Sequence, residues 1–465
     1  MREKGASLKS YWPRMVVRKW LNMKSIGVDE FHSDYGIKGG KRKSGFEDGC
    51  YVVVPEELSE KWLMEANNER ERPRFNQLQQ PITNSQDLRM FVGTWNVGGK
   101  SPTVELDLKD WLRTDSPADI YVLGFQEIVP LTAGNVLGPE DGDTASKWLS
   151  LIHRALNEQH LLFSDLFPFQ CEFIKDTDFE IFSSFGSNSS SSEQGSPSPP
   201  EHHGGTIRHR YCMAAGRQMV GIYLSVWVRE DMYRHISCLN VSCVGTGILG
   251  RLGNKGSVSV SMTLHQTSFC FVCTHLASGE KEGDAIRRNS DVMDILKRTR
   301  FSNQCRILGE SDPPAHILDH DKIIWLGDLN YRLATICGDT YDLLQMKDWQ
   351  ALLLKDQLRL EQRAGRVFKG WEEGAISFAP TYKYFPDSDQ YVNQTSTAKE
   401  KRRTPAWCDR ILWKGKGLKQ MSYGRGESRF SDHRPVVSLF AVQVNVPTKH
   451  EPTTAIASNT AAYRL

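Results

Sequence analysis

Apolar positions along this chain fall in short runs rather than long stretches. From residue 88 onward, runs at 90–94, 120–124, 269–273, 323–326 and 436–442 are separated by Gly, Asn and Asp turns, which is how strands read. Interleaved with them, 285–296 and 341–360 carry apolar residues at helical spacing. The alternation predicts an α/β domain over 86–445. Residues 1–85 have a different texture, polar and rich in Arg, Lys and Glu. There Trp12, Val16, Trp20 and Met23 recur at close to helical spacing, with Arg14, Arg18 and Lys19 between them and Pro13 fixing the earliest start. Such an amphipathic segment either lies on a membrane surface or packs its tryptophans on the main domain. The Ser, Gly and Pro of 176–206 cannot support a packed core, so this stretch is expected to be a disordered surface insertion whose His202 and His203 are solvated. Residues 446–465 read as a loose polar tail.

Composition narrows the function classes. The 465 residues are 39% apolar, enough for one large domain or two ordinary ones. A formal charge of +2 does not describe a polyanion-coating surface, so no nucleic-acid partner is expected and any anionic ligand must be met by a local patch. The ten cysteines show no framework spacing. The one close pair, Cys270 and Cys273, lies in a strand-like run that sends them to opposite faces, so reduced thiols are expected rather than zinc or redox chemistry. With no apolar stretch near the roughly twenty residues a spanning helix needs, and no apolar core behind the N-terminal charges, the expected location is intracellular, cytoplasmic or nuclear.

The chemistry gathers at strand ends. The run at 90–94 finishes in Trp95 and Asn96, 120–124 in Gln126 and Glu127, 269–273 in Thr274 and His275, and 323–326 in Asp328 and Asn330. Open α/β sheets collect their sites at the carboxyl ends of strands, so these groups are expected to converge. Magnesium prefers hard oxygen ligands, which suits Glu127 with Asn96. Asp328 is placed to take a proton from an attacking water, and Asp432 and His433, adjacent before the last apolar run, can splay so that a carboxylate orients an imidazole that donates to phosphate. Neither a Cys-x5-Arg loop nor an Asp-x-Asp-x-Thr nucleophile motif is present, which favours hydrolysis without a covalent intermediate.

GTWNVGG at 93–99, FQE at 125–127, THL at 274–276, WLGDLNYR at 325–332 and SDHRPV at 431–436 together resemble the endonuclease/exonuclease/phosphatase superfamily. That resemblance implies a deoxyribonuclease-like four-layer α/β sandwich, two packed mixed sheets flanked by helices. TYKY at 381–384, RTPAWCDRILW at 403–413 and RLGNKGS at 251–257 resemble the inositol polyphosphate 5-phosphatases, and the opening segment with the Ser-rich insertion resembles their plant type I members. The family resemblance implies a Mg2+ site at Asn96 and Glu127, contact of His275, Asn330 and His433 with the scissile phosphate, water activation by Asp328, and orientation of neighbouring groups by Asp432. It also implies that Tyr382, Lys383, Lys401 and Arg403 hold a 4-phosphate, with Asn254, Asp409 and Arg410 supporting the phosphate pocket. The implied partners are inositol phosphates or phosphoinositide head groups. The loop at 128–138 offers only Val129, Leu131 and Leu137 as apolar contacts for acyl chains, so soluble and lipid substrates both stay open. A nuclease of the same fold is opposed by the TYKY and PAWCDR motifs, and a silent scaffold by the presence of every demanded position.

Overall fold

The structure, a computed structural model, describes residues 83–113, 116–157, 210–281, 283–302, 312–334, 339–392 and 403–447. The amphipathic segment, the Ser-rich insertion with its two histidines, Lys401 and most of the polar tail lie outside the described residues.

Twelve strands form two six-stranded sheets among the described residues. They are β1 (Thr83–Asn96), β2 (Ile120–Gln126), β3 (Tyr211–Met219), β4 (Ile222–Arg229), β5 (Ile236–Gly245), β6 (Gly256–Leu264), β7 (Thr267–His275), β8 (Lys322–Asp328), β9 (Glu372–Glu373), β10 (Asp409–Lys414), β11 (Leu418–Arg425) and β12 (Val436–Pro447). The first sheet runs β11-β12-β1-β2-β4-β3 and the second β5-β6-β7-β8-β10-β9. Each is built around one parallel pair, β1 with β2 and β7 with β8, flanked on both sides by antiparallel neighbours. The two sheets therefore repeat one local topology.

Strand alternation explains the layering. Val92, Val122, Leu224 and Val226 of the first sheet meet Val258, Val260, Phe271, Cys273, Ile324 and Leu326 of the second in a dry central core. The sheets approach so closely that a Cβ on Gly124 would lie 2.7 Å from the Cys273 sulfur, which is why glycine stands there. The outer face of the first sheet, with Phe91, Trp95 and Leu123, is covered by α1 (Gly142–Asn157) through Trp148, Leu151 and Ile152. The outer face of the second, with Cys270, Val272 and Trp325, is covered by α2 (Asp284–Arg298) through Val292 and Ile295. This is the expected four-layer sandwich, and Cys270 and Cys273 do point into different layers.

Two boundaries differ from the sequence reading. β1 reaches back to Thr83 because it pairs with β12 along its length, from Thr83 opposite Pro447 to Thr94 opposite Val436. The helical pattern at 341–360 is not one helix but three: α3 (Asp339–Gln345), α4 (Trp349–Leu353) and α5 (Gln357–Arg363). Lys347 is left-handed at φ 56°, and the Asp348 and Asp356 carboxylates accept the backbone N–H of Ala351 and Arg359, each at 3.0 Å. Caps every eight residues end a helix that periodicity alone would continue.

Asp356 has a second task. Arg410, fully buried on β10, donates from Nη1 to both Asp356 oxygens at 3.0 Å and from Nε and Nη2 to the two Glu373 oxygens at 2.6 Å, while Tyr423 donates to Glu373 at 2.9 Å. This cluster ties α5 and β9 to the sheet. Arg410→Met strands two buried carboxylates and is expected to cost about 3–5 kcal/mol in urea unfolding. Adding Asp356→Asn and Glu373→Gln should recover part of that loss, since they remove the unpaired charges.

Candidate active site

The parallel pairs end side by side. Asn96 closes β1 in register with Gln126 of β2, and His275 closes β7 in register with Asp328 of β8. Four strand ends thus deliver Asn96, Glu127, His275 and Asp328 to one place, as the sequence reading required.

Asp328 is the hub. Its Oδ2 accepts from Asn96 Nδ2 at 3.0 Å and lies 3.3 Å from His275 Nε2, while its Oδ1 accepts the Asn330 backbone N–H at 3.0 Å. Burial opposes its charge, but the hydrogen bond from His275 and the charges of His275, His433 and Lys255 hold its carboxyl well below the usual range. Asn96 Nδ2 also reaches Glu127 Oε1 at 3.3 Å, and Asn96 Oδ1 accepts from the Gly98 N–H at 3.0 Å. Glu127 is a left-handed non-glycine residue, φ 53°, pinned by its carbonyl to the Gly99 N–H at 2.8 Å; strain of this kind is retained where surroundings enforce it. Its side chain is 30% exposed, and its Oε1 is 3.6 Å from His275 Nε2. The part-exposed Glu127 carboxylate is a hard-oxygen donor of the kind a divalent cation takes, while the Asn96 amide turns its nitrogen toward Glu127 and its oxygen toward the Gly98 N–H.

His433 approaches from the turn before β12. Its Nδ1 bonds Asp409 Oδ2 at 2.9 Å, and that same oxygen accepts from Thr381 Oγ1 at 2.6 Å. Burial works against a charged imidazole, yet Asp409, followed by Asp328 and Asp432, raises its pKa to about 9. Ligand atoms of Asp328, Asp409 and His433 all lie within 4.8 Å of one another. The carboxylate that orients the imidazole is Asp409, not its neighbour in sequence. Asp432 instead pairs with Lys383 Nζ at 3.2 Å and accepts from Ser431 Oγ at 3.2 Å.

The expected 4-phosphate residues form an adjoining face. The Tyr382 ring lies against His433, centroids 4.5 Å apart, with Lys383 Nζ 5.8 Å from its centre. Arg403 Nη1 is 3.9 Å from Glu280 Oε1. Two expected pocket residues are placed differently. Arg410 follows Asp409 on β10, so its side chain leaves by the other face and is consumed by Asp356 and Glu373. Asn254 is buried with its Oδ1 accepting the Ile248 N–H at 3.3 Å, so it shapes the preceding loop. The next residue, Lys255, which sequence reasoning passed over, places Nζ in contact with His275 Nε2. Burial first, then proximity to Lys255, lowers the His275 pKa. The signal available was its position, a cation directly before a buried strand in the RLGNKGS motif.

With this geometry in place, the comparisons are direct. Residues 93–170 and 203–439 match the model of the Endonuclease/Exonuclease/phosphatase family 2. The chain is 56% identical over 439 residues to type I inositol polyphosphate 5-phosphatase 8 of Arabidopsis thaliana, covering 94% of this chain and 87% of the relative. It is 39% identical over 559 residues to type IV inositol polyphosphate 5-phosphatase 7 of the same plant, covering 95% and 93%. Among solved structures, it is similar to the inositol polyphosphate 5-phosphatase domain of SPsynaptojanin in complex with inositol (1,4)-bisphosphate and calcium ion, with TM-score 0.59, 28% identity, and coverage of 78% of this chain and 87% of that one. With this sandwich, these matched motifs and these relatives, the chain belongs to the inositol polyphosphate 5-phosphatase family.

Proposed function

We propose that this protein hydrolyses the 5-phosphate of inositol polyphosphates and phosphoinositide head groups with Mg2+, by direct attack of water. The carrying observation is the geometry of one buried site, in which Asp328, bonded to Asn96 and lying against His275, comes within 4.8 Å of a His433 whose Nδ1 is fixed on Asp409. Asp328 accepts a proton from water as the water oxygen bonds to phosphorus and the bond to the inositol oxygen breaks, that oxygen taking its proton from solvent. His433, with Nδ1 fixed on Asp409, donates from its other nitrogen to a phosphate oxygen, and the Asn330 amide gives a further donor. Glu127 and Asn96 would hold a divalent cation, whose chemistry there would be to offset charge on the phosphoryl group.

Lys383, Tyr382 and Arg403 are the binding group for the adjacent 4-phosphate, with Lys401 two positions before Arg403. Lys383 carries its own counter-charge, Asp432, so the pocket awaits its ligand with part of its charge neutralised. Among the described residues, Cys212, Cys243, Cys270, Cys273 and Cys408 are free thiols, which suits an intracellular setting. None of the described helices is long and apolar enough to cross a membrane. Membrane attachment, if made, rests on the amphipathic opening segment.

The decisive assay is phosphate release from soluble inositol 1,4,5-trisphosphate and from phosphatidylinositol 4,5-bisphosphate in vesicles, with and without magnesium. Asp328→Asn should lower turnover by at least about 10³-fold with an unchanged melting curve. Full activity in that variant removes the proposed base. The pH profile of kcat/KM should fall as pH rises through about 9, where His433 loses its proton. Asp409→Asn removes the main charge that holds this proton and is expected to move the falling limb to lower pH. Lys383→Met should weaken kcat/KM about 10- to 100-fold on substrates bearing a 4-phosphate and much less on those lacking it. Equal losses on both would assign Lys383 elsewhere.

A further inference from the structure

Arg332 is a buried side chain that touches Asn330, Glu280 and Tyr382 at once. It follows Asn330 by two residues and is itself buried. Its Nη2 donates to Asn330 Oδ1 at 2.6 Å and its Nε to the Asn330 carbonyl at 3.1 Å. Its Nη1 donates to Glu280 Oε1 at 3.3 Å, the same oxygen that lies 3.9 Å from Arg403. Its guanidinium carbon sits 4.5 Å from the centre of the Tyr382 ring, which in turn packs on His433. The Arg332 N–H is fixed on Gln357 Oε1 at 2.9 Å, and Gln357 is held by Arg288 at 2.7 Å.

A carboxamide has one accepting end and one donating end, and a guanidinium only donates. Arg332 therefore decides which way the Asn330 amide faces. With Oδ1 committed to Arg332 and one Nδ2 proton given to the Leu276 carbonyl at 3.1 Å, the second Nδ2 proton is left to donate to an anion. Asn330 is also left-handed at φ 57°, and its backbone is held there by the Arg332 Nε bond to its carbonyl and by the bond of its own N–H to Asp328 Oδ1. The planar fork covers all of these acceptors at once, while its flat face supports Tyr382; lysine has neither property.

We propose that Arg332 is the positioning residue that joins the two halves of this active site: it sets the phosphate-facing polarity of Asn330 on one side and, through Tyr382 and Glu280, seats the His433 and Arg403 side. It touches no substrate itself. The inference rests on the phosphatase reading given above and deepens it, by naming what couples 4-phosphate recognition to the reacting phosphate.

The test is a double-variant cycle on the full chain, read as phosphate release from inositol 1,4,5-trisphosphate, with crystal structures of the single variants. Arg332→Met should lower kcat about 100-fold with little change in KM, but less than about 3-fold further once Asn330→Ala is in place. Arg332→Lys, which keeps the charge opposite Glu280 but not the fork, should recover melting temperature without recovering kcat. Arg288→Met, which loosens the same network without touching Asn330, should act by the same factor in both backgrounds. An Arg332→Met loss that is equally large with and without Asn330 overturns the proposal, as does a kcat restored by lysine. A wild-type protein that releases no phosphate refutes the phosphatase reading instead. In that event the crystal structure of Arg332→Lys decides alone, since an unmoved Asn330 amide and Tyr382 ring would overturn the positioning role.

Discussion

Keeping a buried carboxylate ionised is the constraint on which this site is built. Isolated in an apolar interior, Asp328 would take up a proton and lose its charge. Here each of its oxygens is met: one by the Asn96 amide and the His275 ring, the other by the Asn330 backbone. Those three groups come from three different segments, β1, β7 and the turn after β8. The charge exists only when both sheets are assembled in register, so the chemistry is a property of the sandwich rather than of any one motif.

The repeated topology is what makes the assembly economical. Each sheet contributes a parallel pair with antiparallel flanks, and parallel strands end together. Packing the two sheets face to face brings four carboxyl ends to one rim, two supplying the candidate cation ligands and two the groups around Asp328. The second carboxylate, Asp409, enters from β10, directly opposite Asp328 in the antiparallel register. Two buried acids so close would repel; the proton on His433 between them relieves that repulsion, which is why its affinity for the proton rises despite burial.

Much of this was legible in the sequence because strand ends are visible there. A polar residue after a run of four or five apolar ones announces both its location and its isolation, as at Asn96, Glu127, His275 and Asp328. Pairings between segments were not legible. Adjacency suggested that Asp432 orients His433, but the turn directs Asp432 to Lys383, and the partner is Asp409, twenty-four positions earlier. The same pleat that turns Asp409 inward sends Arg410 to the other face, so one motif holds a site residue beside a structural one. Lys255 and Arg332 were visible inside quoted motifs, but charge alone does not distinguish a solvated residue from a buried fork. The split of 341–360 into three helices depended on two aspartate caps that periodicity does not weigh.

The long pairing of β1 with β12 also decides where the rest of the chain departs. Thr83 lies opposite Pro447, and Asn96 is thirteen residues further along the same strand, about 40 Å away at the usual rise of an extended chain. The chain thus enters the first strand and leaves the last side by side, at the end of the sheet remote from Asn96. A short bridge across positions 83 and 447 would close the barrel of the sequence into a ring, from which new ends can be opened elsewhere without disturbing the rim.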